Sequence, residues 1–423
     1  MARVVVYSMA YRGDVFPYVP IASELARAGH DVRFVVPREF HPLFAGEPFR
    51  CVHSGTDFGP VALDEHAAYV DRWGTRMGGA MLLRLYFGQF TVPHLDALFE
   101  AIDHELADAD LLVSHPAAAV VGAMSAERRG LPVIVGDLFP MLVPSEHVAM
   151  AGTPYLGRRV NRAILRLPTS RLVDPVTCAG GFRAFRNKLG LSNDGWDVLS
   201  ARLSPTTNLG LMPSAYIDRQ PDWPETYRLV GFTPWEGPGG GRLDDATEAF
   251  LDAGPPPVVV TLGTSAASAR PEVFDAAVSA LDGAGARGVF LTSNAELADR
   301  VDALAGDRHL VRPFAPLAPL LRRSRAIVHS GAHGTNALAL LAGVPSVVVP
   351  CLFDQVWHAR RQQELGTGVW VRRRRQLPAA IAAVLGARGE EHRDRARAFA
   401  DRIAHEDGVG ATVAEVAAVL GST

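Results

Sequence analysis

With 423 residues, the chain exceeds the roughly 250–300 residues at which a single hydrophobic core stops growing, so two domains are expected, each with its own core. Lys and Arg number 42 against 45 Asp and Glu, and the formal net charge of −3 argues against nucleic-acid or anionic-membrane partners and for a small molecule. Three widely separated cysteines, Cys51, Cys178 and Cys351, argue against a disulfide frame or a zinc site and suit a reducing, cytoplasmic setting.

Met1–Met9 lacks the basic, apolar and small-residue order of a signal peptide, and no apolar run of about 18 residues follows, so an uncleaved chain without stable membrane insertion is expected. Val4–Ser8 is a continuous β-branched and aromatic run, the pattern of a central parallel strand buried on both faces. Pro17–Ala28 places Ile21, Ala22, Leu25 and Ala28 on one helical face, Gly29 stops that helix, and Asp31–Val36 predicts the next strand. The same alternation recurs at Leu111–Ser114 and, after a helix through Met124–Arg129, at Pro132–Val135. Between these units, Tyr69–Pro93 holds Trp73, Met77, Met81 and Phe87 without strand signals, and reads either as a buried helix pair or as the wall of an apolar pocket.

Pro213–Gly241, with prolines at 213, 221, 224, 234 and 238 before three glycines, has the composition of a surface linker. Beyond it, Pro257–Leu262, Gly288–Thr292, Leu310–Arg312, Ala326–His329 and Ser346–Val349 predict a second doubly wound parallel sheet.

The most specific pattern lies in this second half. Val328-His329-Ser330-Gly331-Ala332-His333-Gly334-Thr335-Asn336 reads as a strand end, a small-residue turn and a helix from about Asn336. Glycines admit close backbone approach and a helix start presents unpaired N–H groups, which suits a pyrophosphate; the same turn also serves ordinary helix–sheet packing. Ala342-Gly343-Val344-Pro345, another strand and Pro350–Gln355 follow. Asp354 and Gln355, just past a strand end, can bond adjacent sugar hydroxyls or simply cap a polar loop.

In this order of turn, Ala-Gly-Val-Pro, strand and Asp-Gln, His329–Gln355 resembles the donor-binding signature of family 1 GT-B glycosyltransferases, especially those of actinobacterial natural products. Pro221-Asp222-Trp223-Pro224 before Leu229-Val230-Gly231 is similar to that family's interdomain linker, and Arg12–Tyr18 to its acceptor-domain start. The resemblance runs from Val4 to about Val371. It implies an α/β protein of two Rossmann-like doubly wound domains facing a cleft: an acceptor domain over 1–215, a linker over 216–241, a donor domain over 242–405, and a helix in 406–423 that returns to the first domain. It also implies an inverting, metal-independent hexosyl transfer from a dTDP- or UDP-sugar to a small apolar aglycone. The nucleotide sugar is then a co-substrate, no cofactor or metal is expected, and a homodimer or an auxiliary protein is compatible.

Carried onto this chain, the resemblance gives Asp354 and Gln355 the sugar hydroxyls. Gly331, Gly334 and Thr335 cradle the pyrophosphate, together with Gly263, Thr264 and Ser265, and His329, which ends the strand and should face differently, counts with Ser330 and His333 among the donor-binding residues. Phe314, within Arg312–Pro316, lies where the nucleobase packs. The family's phosphate-contacting histidine, expected directly before Gly331, is replaced by Ser330, which offers one hydrogen bond and no charge. The leaving diphosphate then lacks a stabiliser unless His333 or an arginine substitutes. This departure leaves open a second reading, a catalytically impaired homologue acting as an auxiliary or binding subunit.

Asp14 stands where relatives carry a histidine or an aspartate and is the expected general base; it would equally suit the cap of a helix beginning near Phe16. His115 ends another strand at the same sheet edge, and a pair with Asp14 would be the family's dyad with its members exchanged; a purely structural histidine is the alternative. Trp73, Met77, Met81, Phe87 and Phe139, with Met141, are the expected acceptor lining. Arg372–Arg375 is expected to be a solvated turn.

Overall fold

The computed structural model describes residues 1–9, 11–57, 84, 86–140, 143, 145–148, 156–166, 174, 177–198, 200–238, 241–263, 270–351 and 353–422. Among these, the residues up to Trp235 together with those from Glu406 onward form one compact unit, and Glu236–His405 form a second.

In the first unit, β1 (Arg3–Tyr7), β2 (Asp31–Val36), β3 (Arg50–His53), β4 (Leu111–Ser114), β5 (Val133–Asp137), β6 (Thr207–Gly210) and β7 (Tyr227–Leu229) pair in parallel, in the order β3-β2-β1-β4-β5-β6-β7. Helices α1 (Arg12–Val15), α2 (Val19–Arg27), α3 (Leu95–Glu105), α4 (Pro116–Arg129), α5 (Arg158–Arg166) and α6 (Ala179–Lys188) accompany the strands. The helix expected over Pro17–Ala28 is a 3-10 turn, Phe16–Tyr18, that runs into α2. Pro17 and Pro20 fall at helix starts, where a missing N–H breaks no hydrogen bond.

The apolar runs of β1 and β4 are buried on both faces. Val5, Tyr7 and Leu112 pack on one side with Leu98, Ile102, Val121 and Met124; Val4, Val6 and Val113 pack on the other with Ile21 and Leu25. β7 lies inside the proline-rich stretch expected as linker. Three residues long and at the sheet edge, it tolerates Pro221 and Pro224 beside it, since an edge strand need not donate on its outer side.

The second unit repeats the plan with β8 (Val258–Thr261), β9 (Gly288–Leu291), β10 (His309–Arg312), β11 (Ala326–His329), β12 (Ser346–Val348) and β13 (Gly368–Trp370), all parallel, in the order β10-β9-β8-β11-β12-β13. Its helices are α7 (Asp245–Asp252), α8 (Pro271–Gly283), α9 (Ala295–Ala305), α10 (Leu317–Arg322), α11 (His333–Leu341), α12 (Phe353–Leu365), α13 (Leu377–Leu385) and α14 (Ala387–Ile403). Val258, Val260, Val328 and Val347 face α8 and α13 through Val273, Phe274, Ile381 and Val384, whereas Val259 and Ile327 face Leu320 and Ala339 of α10 and α11. The last helix, α15 (Gly408–Ser422), belongs to the first unit, where Val416 and Val419 join the cluster of Ile21 and Leu25 on α2.

Each sheet reverses its strand order about its first strand, between β1 and β4 in one unit and between β8 and β11 in the other. In open parallel sheets the connections leave such a point on opposite faces, so a crevice opens at the carboxyl ends of the two strands. The candidate residues Asp14, His115 and the turn after β11 lie beside these two switch points.

Candidate active site

In the first unit, Asp14 follows β1 and His115 follows β4, so the two flank the switch point. The strand ends are tied together: His115 N–H donates to the Tyr7 carbonyl at 3.0 Å, and Ser114 Oγ donates to the same oxygen at 3.3 Å. His115 is the N-cap of α4, its Nδ1 accepting from Ala117 N–H at 3.3 Å. An accepting Nδ1 leaves the proton of the neutral ring on Nε2. That nitrogen lies 3.5 Å from Asp14 Oδ1. The ring itself is buried, with Tyr18 edge-on at 6.0 Å between centroids.

Asp14 belongs to the short α1 rather than capping a helix at Phe16. Its Oδ2 accepts from Tyr11 N–H at 3.2 Å, so a capping role exists, one turn earlier than expected. Both carboxyl oxygens are therefore oriented, one by a backbone amide and one towards an imidazole. Burial pushes the Asp14 carboxyl up to about 7, while 28% of its side chain stays accessible. A carboxylate tuned to neutral pH and open on one side can take a proton from a bound hydroxyl.

Of the expected acceptor lining, Trp73, Met77, Met81 and Met141 lie outside the described residues. Phe139 is half-buried against the apolar cluster beside α2, and its N–H donates to Asp137 at 3.2 Å. Phe87 is corrected. It is 1% exposed and packed edge-on against Phe182 within the core. Sequence alone could not separate it from a pocket residue, because an aromatic in an irregular stretch suits both.

In the second unit, the turn after β11 begins beside the carboxyl end of β8, at the other switch point. α11 starts at His333, three residues earlier than expected: its first i to i−4 bond runs from Asn336 N to Ala332 O at 2.9 Å. The N–H groups of His333, Gly334 and Thr335 thus fall in the first turn, where an α-helix supplies no partners. A Cβ on Gly334 would meet nothing within 4 Å, nor would one on the exposed Gly263, so open space lies in front of both. Gly331 has φ +88°, and a Cβ there would stand 2.8 Å from Val348 Cγ1 and 3.0 Å from Gln355 O. Only glycine lets this turn lie against α12.

The histidines of this turn are not exposed cations. His329 is fully buried on β11, its Nδ1 accepts from Gly331 N–H at 3.0 Å, and burial pushes it down to about 3. It shapes the turn as a neutral ring. Ser330 and His333 are 2% and 3% exposed, and the His333 ring turns towards His358 of α12, 5.8 Å between centroids. His358 was missed in the sequence, although its spacing of four from Asp354 on a helix is the available signal. It is fully buried, 3.7 Å from Asp354 Oδ2, and burial, with His333 and His329 nearby, holds it well below its ordinary range.

Asp354 is 20% accessible in the first turn of α12. Gln355 is buried, and its Oε1 accepts from Cys351 N–H at 2.8 Å, so this side chain does cap the loop. Gln362 Nε2 donates to Asn336 Oδ1 at 2.7 Å and fixes α12 to α11. Phe314, just after β10, is 45% exposed. Arg372–Arg375 is exposed; Arg374 pairs with Glu272 at 3.4 Å and Arg372 lies over the Trp370 ring. Thr264 and Ser265 lie outside the described residues. Among the described residues no cluster of His, Cys, Asp and Glu is placed to hold a metal ion, and no helix is long and apolar enough to cross a membrane.

By fold and by kinship the chain is a glycosyltransferase of the GT-B architecture. Residues 277–421 match the family described as erythromycin biosynthesis protein CIII-like, C-terminal domain. Among curated relatives, the O-mycaminosyltylonolide 6-deoxyallosyltransferase of Streptomyces fradiae is 28% identical over 86% of this chain and 84% of its own length. The dTDP-epi-vancosaminyltransferase of Amycolatopsis orientalis is 28% identical over 87% and 85%. Among solved structures, the calicheamicin glycosyltransferase CalG4 superposes with a TM-score of 0.70 at 21% identity, covering 100% of this chain and 99% of its own. The glycosyltransferase VinC, solved in complex with DTDP, gives 0.69 at 19% identity with full coverage of both chains.

Proposed function

We propose that the protein transfers a sugar, with inversion and without a metal, from a nucleoside diphosphate donor to a small apolar natural-product aglycone in the cytoplasm. The observation that carries this reading is the Asp14–His115 pair, a carboxyl pushed to about 7 and held 3.5 Å from an imidazole at a switch point. Asp14 is the base that accepts the acceptor hydroxyl's proton as its oxygen attacks the anomeric carbon. His115, its Nε2–H directed at that carboxylate, steadies the charged form and the orientation.

The first turn of α11 receives the diphosphate through backbone N–H groups and the helix dipole. Asp354 and Gln355 bond the sugar, and the exposed Phe314 ring stacks with the nucleobase. A thymidine nucleotide is the favoured donor, since a vancosaminyl relative is named for a dTDP-sugar and the VinC structure contains DTDP. Residues 1–215 form the acceptor domain and 242–405 the donor domain.

The test is transfer from thymidine and uridine diphosphate glucose to a panel of polyketide and macrolide aglycones, read by mass and by the anomeric coupling constant of the product. Inverted product that forms in the presence of EDTA and vanishes in Gly334→Trp, whose side chain fills the open space before α11, is expected. Retained configuration, or dependence on a divalent ion, would sink the mechanism. Binding of nucleotide sugar without transfer to any acceptor would favour the auxiliary role instead.

A further inference from the structure

With Ser330 in place of an imidazole, and with His329 and His358 buried and held neutral, these two histidines supply little charge to a departing diphosphate. A leaving group of two or more negative charges gains most from a cation already in place when the bond breaks. The edge of the second sheet contains several arginines, and most are occupied. Arg312 pairs with Asp244 at 3.5 Å, Arg374 with Glu272 at 3.4 Å, and Arg372 stacks over Trp370.

Arg270 differs. It precedes Pro271, the first residue of α8, the next described helix after β8, so it stands on the carboxyl side of the strand that borders β11 across the switch point. Its side chain makes no N-cap bond. Among the described residues it has no ion-pair or hydrogen-bond partner, and its Nε is buried without one. The residue is half-buried. Its position is fixed by α8, whose Val273 and Phe274 pack in the same cluster as Val349 and Cys351. Burial raises the Cys351 thiol to about 11 while Arg270 acts in the opposite sense, which sets the guanidinium near the loop leading to Asp354 and Gln355. A buried guanidinium nitrogen without a partner is costly, and an arriving anion removes that cost.

We propose that Arg270 is the cation of the donor site, binding the diphosphate and stabilising it as it leaves. This rests on the donor-site reading given above. In the step, the acceptor oxygen bonds to the anomeric carbon and the bond from that carbon to the β-phosphate oxygen breaks. The electron pair passes to that oxygen, whose new charge Arg270 meets; the acceptor proton passes to Asp14. The loss of the family's histidine is then a replacement by an arginine one strand away.

The experiment is calorimetric titration of the wild-type chain, Arg270→Lys and Arg270→Met with thymidine diphosphate, uridine diphosphate and the two nucleosides, with melting curves to confirm folding. Arg270→Met is expected to weaken diphosphate binding by about 10-fold or more, the order of a charge-assisted hydrogen bond, with Arg270→Lys between the two and nucleoside binding unchanged. Equal diphosphate affinity in wild type and Arg270→Met overturns the proposal. So does a parallel fall in nucleoside affinity, which would mark a structural role. If Arg270→Met does not fold, Arg270→Lys decides through the ratio of diphosphate to nucleoside affinity. A wild-type chain that binds neither diphosphate overturns the donor-site reading and this inference together.

Discussion

The two switch points share a topology and treat charge in opposite ways. Beside β1 and β4, a carboxyl is held near neutrality and partly open, with an imidazole directed at it. Beside β8 and β11, the imidazoles of His329 and His358 are sunk and neutral, and what remains open is backbone N–H and glycine. The same strand-turn-helix geometry can thus expose a titrating side chain or hide it, depending on whether the residue after the strand points along the edge or back into the turn. A proton-transfer role suits the first arrangement and an anion-receiving role the second.

The sharpest test of that contrast is Asp14→Asn. Loss of a general base should lower kcat by about 10²–10⁴-fold, with nucleotide-sugar affinity unchanged in a titration. In the wild type the ionised carboxylate is the active form. With its pKa raised to about 7, kcat/KM should fall as pH drops through 7, by about 10-fold per unit below it, and this limb should vanish in the variant. A variant of full activity would reduce Asp14 to the Tyr11 cap.

Phe87 separates the core from the site within the same unit. Its ring fills the space against Phe182, so Phe87→Ala should cost about 3–5 kcal/mol in a denaturant melt. Acceptor selectivity among well-folded conservative variants such as Phe87→Leu should not move. A change of acceptor preference without a change of stability would return Phe87 to the pocket.

What the sequence showed and what it concealed follow one physical line. Periodicity carried the strands with continuous apolar runs, such as β1, β4, β8 and β11, because burial on both faces forces that composition. It missed β6, whose Thr-Asn-Leu-Gly carries a buried Asn208 bonded to Ser204, and β7, whose three residues are too few for a pattern. At the sites, residue types and places at strand ends were legible for Asp14, His115, Asp354 and Gln355. Direction was not. Whether a histidine at a strand end faces solvent, a partner or its own turn depends on one rotation about the side chain, and nothing in the order of residues records it. His329 bonds its own turn, and His115 caps a helix while facing Asp14.

Gly331→Ala probes the turn itself. A Cβ at φ +88°, 2.8 Å from Val348 Cγ1, should cost about 1–2 kcal/mol for the left-handed backbone alone and shift the turn away from α12. Diphosphate binding should weaken by roughly 10-fold, while melting shows a folded protein. Unchanged binding would mean that the diphosphate does not depend on this turn.

His358→Phe asks whether the hidden imidazoles do anything beyond filling space. Phenylalanine keeps the ring and removes the nitrogen that stands 3.7 Å from Asp354, so packing on His333 persists while the carboxylate loses its buried polar neighbour. If that neighbour positions Asp354 for the sugar, affinity for a nucleotide sugar should fall by about 3- to 10-fold, whereas affinity for the diphosphate without its sugar should stay as it was. A parallel change in both would place the effect on α11 and its turn. No change in either would make the second switch point dependent on backbone and glycine alone, the strongest form of its contrast with the first.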